Sequence, residues 1–221
     1  MTIRHETPCR HRSSVPRQKS TTGPAPTSQA PSAPPAARPA TTGLVPGAPS
    51  AWTGRILAVL RIGLGFVFLW AFTDKLFGWN YATPPARSWL NGGSPTRGFL
   101  GGVQAGPFQS VFHSWAGAGW ADWLFMLGLL GVGVAVVAGV GLRLAAVAGS
   151  VMMVLMWAAE WPMAHLSSAG TPTMSTNPFV DYHLLYALLL VLFAVANAGA
   201  VWGLGGAWAK VGLVDRNRWL S

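Results

Sequence analysis

The stretch LRIGLGFVFLWAFTDKLFG, Leu60 to Gly78, decides the fold class. It is apolar over most of its length, yet Arg61 lies near its start and Asp74 and Lys75 lie near its end. A charged side chain in a lipid-facing helix costs about 3 kcal/mol on insertion scales. The stretch therefore predicts a membrane-spanning helix whose charged side chains face protein or water rather than lipid.

The rest of the chain has the same character. Hydrophobic residues make up 51% of the 221 positions and charged residues only 10%, against roughly a quarter charged in soluble domains. A helix needs about 20 apolar residues to cross about 30 Å of hydrocarbon. Four runs approach that length, and we predict spans at about 54–77, 121–141, 143–162 and 178–202. Because a lipid-crossing backbone must satisfy its own hydrogen bonds, the predicted fold is all-α, a polytopic membrane four-helix bundle.

Basic residues predict the orientation of this bundle. Lys and Arg occur before the first span, at Arg143 between the second and third, and after the fourth, whereas the third loop has none. By the positive-inside rule, both termini are predicted to be cytoplasmic. Residues 1–52 are predicted to be a disordered basic tail rich in Pro, Ser, Thr and Ala. Residues 53–208 form the predicted membrane domain, and residues 209–221 a short cytoplasmic tail.

The sequence offers few ligands for a cofactor of its own. Cys9 is the only cysteine and lies in the basic tail, so disulfides, iron–sulfur ligation and CxxCH haem attachment are excluded within this chain. No metal site is predicted, and any redox cofactor is expected to come from another protein. The net charge of +9 is attributed to topology and the tail, since no folded basic module for nucleic acid is recognisable.

Polar residues are predicted to lie in two layers of the bundle. At about 1.5 Å of rise per residue, five ionisable groups from three helices share one depth near the outer surface: Asp74, Lys75, Glu160, Asp181 and His183. Arg61 and Asn197 share a second depth near the cytoplasmic side. Such groups are tolerated when they pair inside a bundle. We interpret Glu160, Asp181 and His183 as proton-handling residues, with Lys75 pairing one of the carboxylates.

Simpler interpretations of these residues stay open. Arg61 either pairs with Asn197 or a carbonyl, or snorkels to the membrane surface, and snorkelling is slightly preferred. Asp74 and Lys75 are alternatively interfacial anchors. For the fourth span, Asn177 is predicted to be the N-cap, with Asp181 in the first turn as a favourable charge at the helix dipole.

Three further features have predicted roles. Ser94 is expected to cap a short helix with Arg97 in its first turn, an arrangement suited to binding anions. Trp157 and Met156 are expected to line an apolar site for a quinone ring. Small residues four apart in the second span are predicted to form its helix-packing stripe; these are Gly131, Ala135 and Gly139.

From about Arg55 to Trp208 the sequence resembles the DoxX family of bacterial membrane proteins. The resemblance rests on LRIGLGFVFLWAFTDKLFG, SPTRGFLGG, WADWLFMLGLLGVGVAVVAGVGLRLAAVAG, NPFVDYHLLYALLLV and WGLGGAW. The family includes DoxD-type large subunits of thiosulfate:quinone oxidoreductase. The resemblance implies a four-helix, multi-pass protein of the bacterial plasma membrane and, in some members, electron transfer from a sulfur compound to quinone. It supplies no catalytic motif residue by residue, so the predicted site rests on the polar layers.

Two functional hypotheses follow. In the first, the protein is the quinone-side subunit of a membrane oxidoreductase acting on a reduced sulfur anion such as thiosulfate. Its partners are then the lipid bilayer, quinone as a substrate, and a second subunit or redox partner protein. In the alternative, it is a non-catalytic membrane scaffold that recruits a soluble redox or stress-response enzyme. A small transporter is disfavoured, because four helices without an inverted repeat are too few.

Overall fold

The computed structural model describes residues 50–217, apart from the side chains of Leu213 and Asp215. Most of the predicted basic tail, with Cys9, and the last four residues lie outside the described residues. The described part is helical and has no strand, only an isolated bridge between Leu166 and Pro172. Its α-helices are α1 (Ala51–Phe77), α2 (Arg97–Gly101), α3 (Gln109–Trp115), α4 (Gly119–Ala138), α5 (Leu142–Glu160), α6 (Tyr182–Val195), α7 (Gly205–Trp208) and α8 (Gly212–Arg216).

Three of these helices are long and apolar enough to cross a membrane. They are α1, α4 and α5, with 27, 20 and 19 residues, and they match the first three predicted spans to within a few residues. Their outward faces are apolar, since Phe66, Leu124, Leu127 and Val151 are each more than half exposed. Apolar side chains on an outer surface are stable against lipid rather than water. The helices therefore indicate a multi-pass membrane protein in contact with the lipid bilayer.

The predicted fourth span, 178–202, is observed as a shorter helix. α6 has 14 residues, which is about 21 Å at 1.5 Å per residue, against about 30 Å of hydrocarbon. It ends before Asn197, whose φ of 47° is left-handed and stops helix propagation. A 3₁₀ turn at Ala198–Ala200 follows.

The start of α6 also differs from the prediction. Its N-cap is Asp181, whose side chain accepts the N–H of Leu184 at 3.1 Å, so the prediction of Asn177 as the cap is wrong. Asn177 instead accepts the N–H groups of Phe179 and Val180 in a turn four residues earlier. Both residues are good cap formers, and the sequence alone does not decide between them.

The long helices pack as a chain of neighbours: α1 on α4, α4 on α5, and α5 on α6. Glycine permits two of these contacts. A Cβ on Gly65 of α1 would lie 2.6 Å from Val137 of α4, and one on Gly149 of α5 would lie 2.6 Å from Leu190 of α6. Close approach at small residues is the usual way that helices associate in membranes, where lipid removes the hydrophobic driving force.

The predicted packing stripe of the second span is confirmed at Ala135, which packs against the buried core, but not at Gly131. A Cβ on Gly131 would meet no other atom within 4 Å, whereas a Cβ on Gly133 would lie 2.8 Å from the Leu69 side chain of α1. Gly128 faces Met152 of α5. With several glycines in one helix, small residues occur on more than one face, so spacing alone does not identify the packed face.

A glycine contact between the α4–α5 turn and the C-terminal segment gives a first test. A Cβ on Gly199 would overlap the carbonyl oxygen of Gly139, and backbone on both sides must then move. We expect Gly199→Ala to destabilise the protein by about 2 kcal/mol, which lowers its thermal unfolding midpoint by about 5 °C. Gly206→Ala is the matched control, because a Cβ there has no neighbour within 4 Å. Equal midpoints for the two variants would contradict this packing.

Candidate functional site

The candidate site lies where α5 ends and α6 begins. Glu160 is the last residue of α5, which stops because Trp161 adopts a left-handed φ of 42° and is followed by Pro162. Proline has no N–H and cannot continue a helix. Asp181 is the N-cap of α6, and His183 lies in its first turn. Helix termination and helix capping thus bring the three predicted proton-handling residues to one place.

The three side chains are in direct contact. His183 Nδ1 lies 2.8 Å from Asp181 Oδ2 and 3.8 Å from Glu160 Oε2. The Tyr182 hydroxyl donates to Glu160 Oε1 at 3.0 Å. The His183 side chain is 1% exposed, that of Asp181 15% and that of Glu160 38%. The group therefore runs from a buried imidazole to a carboxylate that meets solvent.

The electrostatics of this group favour a positive charge. Glu160 lies at the C-terminal end of α5, which is the negative end of the helix dipole. Asp181 uses Oδ1 to accept the Leu184 N–H and turns Oδ2 toward the imidazole. Two carboxylates around one imidazole nitrogen are suited to hold a proton or a metal cation between them.

Two cavities beside the site share a lining residue. A chamber of about 630 Å³ is bordered by Glu160, Asp181 and Tyr182, and its lining includes no Lys or Arg among the described residues. A groove of about 350 Å³ runs between α4 and α5 under α2 and α3. Among the described residues that line it, Thr96 has the only polar side chain apart from the aromatic ones. Phe99 of α2 lines both cavities. An apolar site thus adjoins a polar one that contains ionisable groups.

The other outer-layer residues lie apart from this group. Asp74 is 1% exposed and accepts the N–H groups of Tyr81 and Ala82 at 3.3 and 3.0 Å, closing the turn after α1. Lys75 Nζ lies 5.8 Å from the ring centre of Phe125, within cation–π range. Its contacts among the described residues include neither carboxylate of the candidate site, so the expected pairing of Lys75 is not formed.

In the inner layer, Arg61 is fully buried, so the preference for snorkelling is wrong. Its guanidinium donates to the carbonyl oxygens of Val136, Val137 (2.6 Å), Val201 (3.4 Å) and Trp202 (2.9 Å). The alternative partner, a carbonyl, is therefore the one observed. A cation at the C-terminal end of α4 is also favoured by the helix dipole. Asn197 is exposed at the end of α6 and makes no hydrogen bond to Arg61.

One of the two predicted anion-binding residues, Ser94, contacts a carboxylate of the chain itself. The N-cap of α2 is Thr96, so the expectation that Ser94 caps this helix is wrong. Ser94 accepts the N–H of Arg97 at 3.2 Å, and its hydroxyl donates to Asp122 at 2.9 Å. The N–H and hydroxyl of Thr96 donate to the same carboxylate oxygen at 3.0 and 2.6 Å. The Arg97 side chain lies beside Gly117. Binding of an external anion by Ser94 and Arg97 stays a prediction.

The two predicted quinone-lining residues are in different places. Met156 lines the groove between α4 and α5. Trp157 is not among the residues lining either cavity; its indole N–H donates to the Phe179 carbonyl at 3.0 Å, and its ring contacts Trp161. Trp157 therefore fastens the end of α5 to the segment before α6.

Two site residues were not identified from the sequence. Tyr182 lies between Asp181 and His183 in the motif DYH, and its hydroxyl is a hydrogen-bonding group next to two predicted site residues. Asp122 is 7% exposed and lies in the first turn of α4, in the motif WADW. An acidic residue at the start of an apolar span is itself a signal for a polar contact.

Comparison with known proteins finds a similarity over part of the chain. Residues 56–161 match the family model described as DoxX. No curated protein and no solved structure matches the chain. The matched region runs from α1 to the residue after α5, so it includes Glu160 but neither Asp181 nor His183. Residues 56–161 are therefore similar to the DoxX family.

Proposed function

We propose that this protein is the quinone-side subunit of a membrane oxidoreductase of the DoxD-like type, which oxidises a reduced sulfur anion such as thiosulfate. The observation behind the proposal is the junction at Phe99 between an apolar groove and a chamber bordered by Glu160, Asp181 and Tyr182. A quinone needs both environments. Its ring and isoprenoid tail require apolar surface, while its two oxygens require proton donors when the ring is reduced.

The groove between α4 and α5 suits the apolar part of such a ligand. Its lining includes Phe112, Trp115, Leu124 and Met156, and Leu124 is 67% exposed on the lipid-facing side. A ligand dissolved in the bilayer therefore reaches the groove without passing through water. The volume of about 350 Å³ lies at the lower end of the range for small-molecule pockets, which fits a ring with a short part of its tail.

The reaction balances with protons from the site and electrons from a partner. Joining two thiosulfate anions through a new S–S bond releases two electrons, and a quinone takes up two electrons and two protons to become a quinol. We assign oxidation of the anion to a partner subunit, since the chamber is bordered by two carboxylates, which repel anions. Glu160, hydrogen-bonded to Tyr182 and close to His183, then exchanges protons between the chamber and the quinone.

This proposal includes a topology. We infer that α6 and the segment after it complete a four-helix bundle in the plasma membrane, with both termini cytoplasmic. Arg61 supports the inference, because its bonds to Val201 and Trp202 hold the segment after α6 against the end of α4. The C-terminal segment is thereby packed with the long helices rather than detached from them.

Quinone binding by the protein alone tests the groove. In the full-length chain in lipid nanodiscs, Ala148→Phe should lower the affinity for a short-chain quinone analogue at least tenfold, because Ala148 lines the groove and the ring fills it. Val147→Phe is the matched control on the same helix. Val147 is 54% exposed and outside the groove lining, so its variant should bind as the wild type does. Binding that is equal in both variants would remove the groove from the proposal.

Turnover requires the partner and separates the two functional hypotheses. Thiosulfate-dependent reduction of the quinone analogue should be absent with the purified chain and present after co-purified partner subunits are added. If no partner supports turnover while one soluble enzyme is recovered consistently, the protein is a scaffold instead. In that case Ala148→Phe should leave recovery of the enzyme unchanged.

A further inference from the structure

Glu160, Asp181 and His183 have a second property that their sequence positions do not predict. Each offers one ligand atom, and these atoms lie within 4.8 Å of one another. They come from two elements, the end of α5 and the start of α6, which are packed together. From this geometry we propose that Glu160, Asp181 and His183 bind a divalent transition-metal cation, of which Zn²⁺ fits best.

The separations between the donor atoms match a coordination sphere. Two ligands at about 2.1 Å from Zn²⁺ are about 3.0 to 3.5 Å apart at octahedral or tetrahedral angles. His183 Nδ1 is 2.8 Å from Asp181 Oδ2 and 3.8 Å from Glu160 Oε2, so small side-chain rotations bring both pairs into that range. One imidazole and two carboxylates are donors that Zn²⁺ accepts, with a fourth position left for water.

His183 presents one of its two ring nitrogens, Nδ1, to both carboxylates. The side chain is 1% exposed, and its Nε2 is buried without a hydrogen-bond partner among the described residues. Every polar contact of the ring is therefore made through Nδ1, the nitrogen that faces both carboxylates. The Tyr182 ring covers the imidazole, with centroids 4.0 Å apart, and limits its rotation. A rigid donor reduces the entropy that a ligand must overcome on binding.

Access and charge also favour a cation. Glu160 is 38% exposed, and it borders the chamber of about 630 Å³ together with Asp181. No Lys or Arg lies among the described residues that line this chamber. Coulomb attraction then raises the local concentration of cations at the site. The negative end of the α5 dipole adds to this effect at Glu160.

Metal binding does not depend on the proposed function, but it uses the same atoms. A cation between His183 Nδ1 and Asp181 Oδ2 replaces the proton that otherwise joins them. The site thus holds either a proton or a metal, and Zn²⁺ should compete with proton exchange. Metal binding is measured without quinone or electron donor, so a failure to bind Zn²⁺ leaves the proposed oxidoreductase function intact. Likewise, an absence of quinone reduction leaves the metal site intact.

The test is calorimetric titration of Zn²⁺ into the full-length protein in lipid nanodiscs. We expect one tight equivalent whose Kd rises at least tenfold in Glu160→Gln and in Asp181→Asn. Both variants should fold, since Glu160 is partly exposed and asparagine is as good an N-cap as aspartate. Unfolding midpoints measured without metal check this. X-ray absorption at the zinc edge should show nitrogen and oxygen ligands without sulfur.

His165→Gln is the matched control for binding by an exposed histidine outside the group. The tail has its own metal-binding residue types, namely His5, Cys9 and His11, so the difference between variants is the relevant quantity. The tight equivalent should persist in His165→Gln. Retention of wild-type affinity in either Glu160→Gln or Asp181→Asn, or an equal loss in His165→Gln, would overturn the proposal.

Discussion

Replacing Arg61 by methionine should lower the thermal unfolding midpoint of the protein in nanodiscs by about 10 °C. Methionine is of similar length but removes every N–H donor. The carbonyls of Val137 and Trp202 then lose the guanidinium that now bonds them at 2.6 and 2.9 Å. Leaving buried acceptors unsatisfied costs about 1–3 kcal/mol each, or about 4 kcal/mol here. At about 2–4 °C per kcal/mol for a chain of this size, the expected shift follows.

The large effect comes from the position of Arg61 at the end of α4. The last four carbonyls of a helix have no partner within it. At the end of α4, the Ala135 carbonyl accepts the N–H groups of Gly139 and the residue after it, and the Val136 carbonyl accepts the N–H of Gly139. The Ala138 carbonyl accepts the N–H of Leu204. The Val137 carbonyl accepts a hydrogen bond from the Arg61 guanidinium. The guanidinium therefore completes the cap of α4 while holding the C-terminal segment against it.

Arg55→Met is the matched control on the same helix. Arg55 is exposed and lies over the Trp52 ring at 5.2 Å, so its loss should change stability by about 0.5 kcal/mol or less. If Arg61→Met and Arg55→Met shift the midpoint equally, the cap is not what stabilises this end of the bundle. Arg61→Lys should be intermediate, because a lysine keeps the charge but cannot reach both carbonyl groups in the same geometry.

The spans were predictable because crossing a bilayer depends on apolar length and little else. α1, α4 and α5 lie where long apolar runs predict them. The short α6 was not predictable in this way. Its apolar run continues to Trp202, but the left-handed φ of Asn197 stops the helix. Asparagine adopts the left-handed conformation more readily than most residues and can end a helix, but the hydropathy of the run does not register this.

The depth of the candidate-site residues in the membrane was predictable, but the direction in which each side chain leaves its helix was not. Helical rise alone places Glu160, Asp181 and His183 at one level, and the structure brings them into contact. The same rise places Lys75 at that level, yet it turns toward Phe125. Rotation about a helix axis depends on which neighbour packs on which face, and one sequence does not contain that information. Arg61 was misjudged for the same reason, since its partners belong to other elements.

Glu160→Gln should reduce turnover of the assembled oxidoreductase at least a hundredfold while leaving the unfolding midpoint nearly unchanged. Glutamine has the shape of glutamate and still accepts the Tyr182 hydroxyl through its amide oxygen, but it cannot exchange a proton. Loss of a general acid–base group typically costs about 10²–10⁴ in rate. Stability should be kept because the side chain is 38% exposed. The measurement is donor-dependent quinone reduction with the partner present and metal removed by chelation.

The control for that experiment is Thr176→Ala, which removes a hydroxyl from the same chamber lining but no group that titrates near neutral pH. Its turnover should stay within about twofold of the wild type, because a lone hydroxyl cannot substitute for acid–base catalysis. Glu160→Asp should recover part of the activity, since it restores a carboxylate on a shorter stem. Normal turnover in Glu160→Gln would assign proton exchange to His183 and Asp181 without Glu160. Equal losses in Glu160→Gln and Thr176→Ala would instead show that the chamber binds the quinone by shape alone.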